Sequence, residues 1–252
     1  MNQIKKEIYT EACNRLSGHM HNGPFKYSSN MRDVKWFARR VTEVFTPSGT
    51  FVDIGGGLNP VNVVLAEMGM KVHVVDFDVD KYASTERFSI IKKSGVNFIQ
   101  ADGLDYRFEQ FGDCEVDSIG SFHTFEHFHH SPRNLCESAM RALKSGGKIV
   151  IETPNAANLK KRFGLLFGKT NYLEYSGYYE TEKYWLHIRE YTVDDMKYLA
   201  GAMKLKEWRI FGLNYFGAFY PGKGSLLPLY PIDLALRLRP GLCSAIFLSG
   251  TK

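Results

Sequence analysis

A glycine-rich turn after an apolar run is the part of the sequence best suited to ligand chemistry. Residues 51–60 read Phe-Val-Asp-Ile-Gly-Gly-Gly-Leu-Asn-Pro, so Asp53 lies two residues before Gly55. Glycines let the backbone turn sharply beside a ligand, and the N–H groups at the start of the following helix attract electron-rich groups. A second acid, Asp76, ends the next apolar run. The pattern predicts a ligand site at the carboxyl edge of a parallel sheet.

The same turn distinguishes between two classes of cofactor. A dinucleotide site requires G-x-G-x-x-G, whose third glycine allows close packing around a diphosphate. Counted from Gly55 and Gly57, the third glycine position holds Pro60. The sequence therefore disfavours a nicotinamide-dependent oxidoreductase, which stays open as an alternative. A non-catalytic binding or scaffold protein is the other alternative, because a fold does not by itself imply catalysis.

A group of histidines around one glutamate follows the apolar run at residues 116–122. The group consists of His123, Glu126, His127, His129 and His130. Histidine is suited to accept a proton because its ordinary pKa lies near neutrality. Three interpretations stay open: a base or cofactor-lining group at His123 or His127, a solvated turn, and a divalent metal site. If a helix begins here, His123 and His127 lie on one face. Because the H-E-x-x-H spacing is missing, no metal is predicted.

A second polar segment, His-Ile-Arg-Glu-Tyr-Thr, occupies residues 187–192. Either His187 and Arg189 face an acceptor molecule, or an ion pair between Arg189 and Glu190 anchors the segment. Thr192 and the two acids that follow Val193 predict the start of a helix, with Thr192 as the N-cap.

The stretch between these polar segments is basic and then aromatic. Residues 159–169 are basic and amphipathic, which is typical of a solvated helix face or of peripheral contact with an anionic membrane. Aromatic side chains follow, and they suit either stacking on sugars or planar acceptors, or a small satellite core. They are Tyr172, Tyr175, Tyr178, Tyr179, Tyr184 and Trp185.

Short Val/Ile-rich runs that alternate with helical patterns predict the elements that position these residues. We expect strands at 50–54, 71–76, 96–100, 116–122, 148–153, 205–211 and 244–249. We expect helices near 60–69 and 131–143. The second helix is predicted to begin at Ser131-Pro132 and to be closed by Gly146-Gly147. Such runs predict an α/β fold, a Rossmann-like doubly wound, mostly parallel sheet with helices on both faces. We expect a single domain: 1–49 as an N-terminal helical cap, 50–155 as the cofactor-binding core, 156–195 as a lid, and 196–252 as C-terminal strands and helix.

Taken in chain order, these motifs resemble those of the class I S-adenosylmethionine-dependent methyltransferases. The resemblance rests on the turn after Asp53, on Asp76, on Ala-Asp-Gly-Leu at 101–104, on 121–127, and on Leu-Lys-Ser-Gly-Gly at 143–147. This chain has Asn59 where many members have glycine, and Ser145 where they have proline. The resemblance implies a seven-stranded sheet with an antiparallel last strand, and S-adenosylmethionine as cofactor. The 187–192 segment is similar to one in methyltransferases associated with bacterial surface polysaccharides.

The resemblance also implies roles for particular residues. Asp76 would accept the ribose hydroxyls, and Asp102 would receive the adenine amino group. The implied cofactor-binding set is Asp53, Gly55, Gly56, Gly57, Asp76, Phe77, Asp102, Gly103, Ser121 and His123, and the catalytic candidates are His123, His127 and His187. Some family members hold a metal with Glu and Glu-His here, but this chain has His123 where the first Glu would be. We expect methyl transfer to a hydroxyl of a small molecule or glycan, such as a sugar or a lipid-linked acceptor.

Composition limits the remaining choices. The chain has 252 residues, a net charge of +5 and 44% hydrophobic residues, which suits one large globular domain and excludes a fibre or a disulfide-stapled miniprotein. Nucleic acid is not expected as a partner, because no RNA-binding module and no clear basic stripe are present. No apolar run is long enough for a membrane span, and no secretory signal is seen. Scattered cysteines without a C-x-x-C pair, namely Cys13, Cys114, Cys136 and Cys243, indicate reduced thiols and a cytoplasmic location.

Overall fold

The computed structural model describes residues 48–59, 61–169, 175–180, 187–214 and 230–252. Its strands are β1 (Gly49–Ile54), β2 (Met70–Asp76), β3 (Asn97–Gln100), β4 (Val116–Phe122), β5 (Leu143–Pro154), β6 (Lys206–Leu213) and β7 (Ala245–Thr251). Its α-helices are α1 (Val61–Glu67), α2 (Val79–Tyr82), α3 (Glu86–Lys93), α4 (Arg133–Ala142), α5 (Leu159–Leu166), α6 (Tyr175–Glu180), α7 (Val193–Ala202) and α8 (Tyr230–Arg237). Short 3-10 turns cover Phe125–His127 and Pro240–Leu242.

The strands form one seven-stranded mixed sheet in the order β3-β2-β1-β4-β5-β7-β6. Strand β1 pairs in parallel with β2 and with β4, and β2 pairs in parallel with β3. Strand β7 pairs antiparallel with β6. The predicted Rossmann-like α/β fold, with seven strands and an antiparallel last strand, is confirmed. Because parallel strands end at the same edge, the turns after β1, β2 and β3 lie side by side.

Strand β1 shows why a continuous apolar run predicts a central strand. Its last four residues, Phe51–Ile54, are all buried, although successive side chains of a strand point to opposite faces of the sheet. Both faces of the sheet are therefore covered at this strand, as in other parallel sheets. Asp53 is the one acid in this buried run, at 1% exposure.

The chain divides into two compact units. The first contains the described residues up to Ser121 together with Arg133–Ile149 and Lys252. The second contains Phe122–Pro132 and the described part of Val150–Thr251.

A hydrogen-bonded asparagine, Asn155, organises the second unit. It is fully buried, and its side-chain amide donates to the carbonyl oxygens of Gly241 at 3.1 Å and Cys243 at 2.7 Å. Its side-chain oxygen accepts a hydrogen bond from the backbone N–H of Ala157 at 2.9 Å. The residue after β5 is thereby fixed to the segment that precedes β7.

The start of β5 departs from the sequence-based prediction. Gly146 and Gly147 were expected to close the preceding helix, but they lie within the strand, which begins five residues before the predicted residue 148. The backbone N–H of Gly146 donates to the carbonyl of Lys252 at 3.3 Å, and the N–H of Lys252 donates to the carbonyl of Gly147 at 3.0 Å. Pairing with the last residue of the chain therefore extends the strand, and α4 ends at Ala142.

Some predictions fall outside the described residues. They are the N-terminal cap apart from residues 48 and 49, the residue Pro60, and the aromatic residues Tyr172, Tyr184 and Trp185. None of the described helices has the length and apolar character needed to cross a bilayer.

Candidate functional site

The glycine turn after β1 takes a conformation that depends on glycine. Gly55 has φ +71° and Gly57 has φ +49°, both in the left-handed region that residues with a Cβ disfavour. At Gly56 the reason is space, because a Cβ there would lie 2.3 Å from Oδ2 of Asp53. The turn thus brings the backbone directly against the Asp53 carboxylate.

Asp53 is a buried acid with one fixed partner. Its Oδ2 accepts a hydrogen bond from Asn62 Nδ2 at 2.8 Å, while Oδ1 has no hydrogen-bond partner among the described residues. Burial raises the pKa of Asp53 to about 7; the Asn62 hydrogen bond opposes this shift, and the nearby charge of Asp76 adds to it. A cationic ligand group in the turn would favour the ionised carboxylate.

Asp76 holds the turn from the neighbouring strand. Its Oδ2 accepts the N–H of Gly57 at 3.0 Å, and its Oδ1 accepts the N–H of Asp78 at 3.0 Å and the hydroxyl of Tyr82 at 3.2 Å. Burial, and then Asp76 itself, raise the pKa of Tyr82. A carboxylate accepts about four hydrogen bonds, so these three leave room for one ribose hydroxyl unless an existing partner is displaced. The expected contact with both hydroxyls stays a prediction.

The other predicted cofactor residues of the first unit lie at the ends of the parallel strands. Asp102 is exposed, and its Oδ1 accepts the N–H of Leu104 at 2.9 Å in a tight turn. Gly103 is buried, and a Cβ there would lie 3.1 Å from Ile54. The Ser121 hydroxyl donates to the carbonyl of Ile54 at 3.3 Å. Phe77 is 48% exposed, and the contacts of all these residues with a cofactor stay predictions.

The second unit contains a cluster of three imidazole rings around one buried carboxylate, Glu126. The side chain of Glu126 has no exposed surface, and its Oε1 lies 3.4 Å from His123 Nδ1, 3.8 Å from His187 Nε2 and 4.0 Å from His127 Nε2. The His127 and His187 rings are 5.1 Å apart and nearly perpendicular. The structure therefore brings together all three histidines that the sequence indicated as catalytic candidates. His129 and His130 are exposed in the following loop.

Backbone hydrogen bonds bring His187 to this cluster. The carbonyl of Glu126 accepts the N–H groups of Ile188 at 2.7 Å and Arg189 at 3.1 Å. The condition under which His123 and His127 would share a helix face is not met. Only one 3-10 turn forms, and His123 precedes it with φ +51°. Glu126 gathers the histidines instead.

His123 also contacts a second buried carboxylate, Glu152, at the end of β5. Oε2 of Glu152 accepts the backbone N–H of His123 at 3.0 Å, and Oε1 lies 3.4 Å from the ring Nε2. Burial alone would lower the pKa of His123, but the interaction with Glu126 and the charge of Glu152 outweigh burial and raise that pKa.

His187 is oriented by its own segment. Its Nδ1 lies 3.1 Å from Oε1 of Glu190, whose other oxygen pairs with Lys161. Arg189 pairs with Asp195 at 2.8 Å, which does not support the alternative of an ion pair between Arg189 and Glu190. Burial lowers the pKa of His187, and the charge of Glu126 partly opposes that shift.

Glu152 and Glu190 are site residues that the sequence analysis missed. Glu152 gave a signal, because a fully buried charged residue inside an apolar strand requires a nearby partner. Glu190 was assigned to its chain neighbour Arg189. Its observed partners, Lys161 and His187, include one that is distant in the sequence.

The basic and aromatic segments are exposed where the structure describes them. In and after α5, Phe163 is 56% exposed, Leu166 77% and Phe167 79%. Three tyrosines of α6, namely Tyr175, Tyr178 and Tyr179, are also exposed, so these three do not form the satellite core that was one expectation.

Comparison with known proteins gives a family match. A family model described as a methyltransferase domain matches residues 28–204. No curated protein sequence matches the chain significantly.

Solved structures resemble the chain at low sequence identity. A SAM-dependent methyltransferase from Archaeoglobus fulgidus has a TM-score of 0.59 and 16% identity, covering 90% of this chain and 96% of its own. Phosphoethanolamine N-methyltransferase 2 of Haemonchus contortus, in complex with S-adenosyl-L-methionine, has a TM-score of 0.54 and 17% identity over 86% of this chain and 52% of its own. A geranyl diphosphate methyltransferase in complex with GPP and sinefungin has a TM-score of 0.56 and 14% identity over 89% and 81%. At such identities the likeness supports the fold.

Proposed function

The chain belongs to the methyltransferase domain family, and from this we propose that it transfers the methyl group of S-adenosylmethionine to a hydroxyl group of a small molecule or glycan. The family resemblance seen in the sequence is confirmed, and the chain is an S-adenosylmethionine-dependent methyltransferase. The observation that carries the proposal is the extent of the match. It includes the glycine turn, the acids Asp53, Asp76 and Asp102, and the histidine cluster.

The glycine turn and its two acids suit this cofactor. S-adenosylmethionine carries a sulfonium and an ammonium group, and it has no diphosphate. In our proposal the N–H groups of the turn approach its methionine part, while Asp53 ionises beside positive charge. Asp76 accepts a ribose hydroxyl, and Asp102 lies at the adenine end.

The histidine cluster suits the acceptor. The sulfonium makes the methyl group electrophilic, so a reaction mainly requires an acceptor oxygen held in line. A hydroxyl is a weak nucleophile, and a base that removes its proton helps the reaction. As the S–CH₃ bond breaks and the O–CH₃ bond forms, the hydroxyl proton passes to a ring nitrogen, for which His123, His127 and His187 are the candidates.

Exposed side chains of the second unit support an acceptor that is a sugar or is linked to a lipid. Tyr175, Tyr178 and Tyr179 offer aromatic faces on which a sugar can stack. The two neighbours named above as phosphoethanolamine and geranyl diphosphate methyltransferases act on small molecules, which supports a small acceptor.

Helix α5 supports peripheral contact with a membrane, because its exposed apolar residues lie beside Lys160 and Lys169. Cosedimentation with phosphatidylglycerol vesicles tests this contact, and equal binding to phosphatidylcholine would contradict an electrostatic role. We also propose a cytoplasmic location, which the free thiols of Cys114, Cys136 and Cys243 support.

Calorimetry with S-adenosylmethionine and with NAD(P) tests the cofactor assignment. We expect Asp76→Ala to weaken S-adenosylmethionine binding by about 1.5–3 kcal/mol, the range for losing charge-assisted hydrogen bonds. Tyr82→Phe is the matched control, because it removes one existing partner of Asp76 and keeps the carboxylate. An unchanged dissociation constant in Asp76→Ala would exclude the ribose role, and binding of NAD(P) alone would favour the oxidoreductase.

Methyl transfer to a panel of sugars and lipid-linked sugars tests the acceptor side. Alanine at His123, His127 and His187 together should abolish transfer. The double substitution His127→Ala and His187→Ala should reduce transfer and leave cofactor binding intact, whereas His130→Ala should behave as the wild type. Transfer that survives the triple substitution would refute the histidine assignment. If no acceptor is methylated by the wild type, the scaffold alternative gains support.

A further inference from the structure

We propose that Glu126, His127 and His187 form a binding site for a first-row divalent transition metal ion such as Zn²⁺. One ligand atom from each of the three residues lies within 4.8 Å of the others. The sequence left a metal site open as one of three interpretations of this cluster and predicted no metal ligand there. Its test needs no acceptor, because metal binding is measured without methyl transfer. When the ion is bound, His127 and His187 are ligands, so the proton of the proposed reaction would pass to His123 or to water.

The spacing of the donor atoms suits a metal ion after a small contraction. Ligand atoms of a tetrahedral site with bonds of about 2.1 Å lie about 3.4 Å apart. Oε1 of Glu126 is already 3.8 Å from His187 Nε2 and 4.0 Å from His127 Nε2. His123 Nδ1, at 3.4 Å from the same oxygen, can act as a fourth donor. Small side-chain rotations therefore close the site.

The state of Glu126 indicates that a cation is missing. Its side chain is fully buried, its closest imidazole nitrogen is 3.4 Å from Oε1, and neither carboxylate oxygen accepts a hydrogen bond of good geometry among the described residues. A buried carboxylate without hydrogen bonds is costly, and buried charges are usually paired or coordinate metals. The three histidine side chains keep between 30% and 49% exposure, so an ion can reach the carboxylate from solvent.

Glu190 prepares His187 for metal binding. Its Oε1 lies 3.1 Å from His187 Nδ1, which places the ring proton on Nδ1 and leaves the lone pair of Nε2 directed toward Glu126. Metal-binding histidines commonly donate their second ring N–H to a carboxylate, which fixes the ring and makes it a stronger ligand. Lys161 pairs with Glu190 and so places a positive charge beside that carboxylate.

The donor set determines which ions the site prefers. Two or three imidazole nitrogens with one carboxylate oxygen match Zn²⁺, Co²⁺ and neighbouring transition metals. Mg²⁺ and Ca²⁺ prefer oxygen ligands. His123 strengthens this preference, because it adds nitrogen where a carboxylate would favour the harder ions.

Titration of the tag-free 252-residue protein with metal ions, after removal of metals by EDTA, tests the site. We expect one equivalent of Zn²⁺ or Co²⁺ to bind, with visible d–d absorption for Co²⁺ and little binding of Mg²⁺. Glu126→Gln and His187→Ala should abolish this binding. Glu190→Gln should weaken it by about 10–100-fold, the usual effect of losing a carboxylate that orients a histidine ligand. His130→Ala is the matched control and should bind as the wild type does.

Circular dichroism of each variant distinguishes loss of the metal site from loss of folding. If a ligand variant does not fold, Glu190→Gln provides the test, because it keeps every ligand atom. No binding of Zn²⁺ or Co²⁺ by the wild type, or equal binding by wild type and Glu190→Gln, would overturn the proposal. Binding of S-adenosylmethionine to the same metal-free protein shows that such a failure leaves the methyltransferase function standing.

Discussion

Replacing Asp53 with asparagine should stabilise the protein at pH 8 and weaken its binding of S-adenosylmethionine. The Asp53 carboxyl is 1% exposed, and burial raises its pKa to about 7 from an ordinary value of 3.8. Asparagine keeps a side-chain oxygen that can accept the hydrogen bond from Asn62, now 2.8 Å from Asp53 Oδ2. The substitution therefore removes an ionisable group with little change in shape.

The size of the effect follows from the two pKa values. Between about pH 4 and pH 7 the unfolded chain has lost the Asp53 proton and the folded protein still holds it, so the free energy of unfolding falls as the pH rises. From 3.8 to about 7, at 1.36 kcal/mol for each pH unit, Asp53 lowers the free energy of unfolding by about 4 kcal/mol. Above pH 7 both states are ionised and the contribution is constant.

Urea unfolding of the cofactor-free wild type and Asp53→Asn at pH 4, 6 and 8 measures this contribution. The stability of the variant relative to the wild type should increase through this range by up to about 4 kcal/mol. Asp105→Asn, at an acid whose side chain is 63% exposed, is the control and should show no such trend. A difference between Asp53→Asn and the wild type that does not change with pH would refute the raised pKa.

Calorimetry at the same pH values tests the link to the cofactor. If the positive charge of S-adenosylmethionine requires ionised Asp53, binding below pH 7 releases a proton. The affinity for S-adenosylmethionine should then fall by up to about tenfold for each unit by which the pH is lowered below 7. Asp53→Asn should bind more weakly at pH 8 and lose this dependence. Equal affinity of the two proteins at pH 8 would remove Asp53 from the cofactor site, whatever its pKa.

Two further substitutions test the local geometry. Gly56→Ala should lower the free energy of unfolding by about 1–3 kcal/mol and impair cofactor binding, because its Cβ would lie 2.3 Å from Asp53 Oδ2. Gly201→Ala in α7 is the control, because a Cβ there meets no atom within 4 Å. In urea unfolding this control should be neutral or stabilising. Thr192→Ala should cost about 1 kcal/mol in the same assay, because Thr192 and Asp195 form a capping box at the start of α7; a loss below about 0.2 kcal/mol would contradict the cap.

The sequence predicted the parts of the fold that depend on local pattern. Strand β4 has the predicted bounds, β2 and β3 differ by one residue at one end, and the Thr192 cap is confirmed. The early start of β5 was not predictable in this way, because the partner of Gly146 and Gly147 is Lys252, more than a hundred residues later. The two adjacent glycines indicated the end of a helix, but their pairing with Lys252 places them in strand β5.

The candidate site was likewise predictable where it depends on local sequence pattern and unpredictable where it depends on long-range contacts. The glycine turn could be recognised because its function requires particular residue types at adjacent positions. The histidine cluster was only partly recognisable. The role of Glu126 as its centre arises from a 3-10 turn and from hydrogen bonds to Ile188 and Arg189, and neither follows from helical periodicity. For the same reason Glu190 was assigned to its neighbour Arg189 and not to His187.

Both units contain a buried carboxylate whose charge is incompletely matched by the described protein groups. Asp53 responds by holding a proton up to about pH 7, whereas Glu126 is surrounded by imidazole rings. A ligand that supplies positive charge at such a carboxylate binds the folded state and not the unfolded chain, so it must raise the free energy of unfolding. For Asp53 this stabilisation should increase as the pH rises toward 8, because the cation then replaces no proton. Stabilisation by S-adenosylmethionine that instead decreases between pH 6 and pH 8 would mean that the cofactor prefers the protonated carboxyl and contacts Asp53 through a hydrogen-bond acceptor.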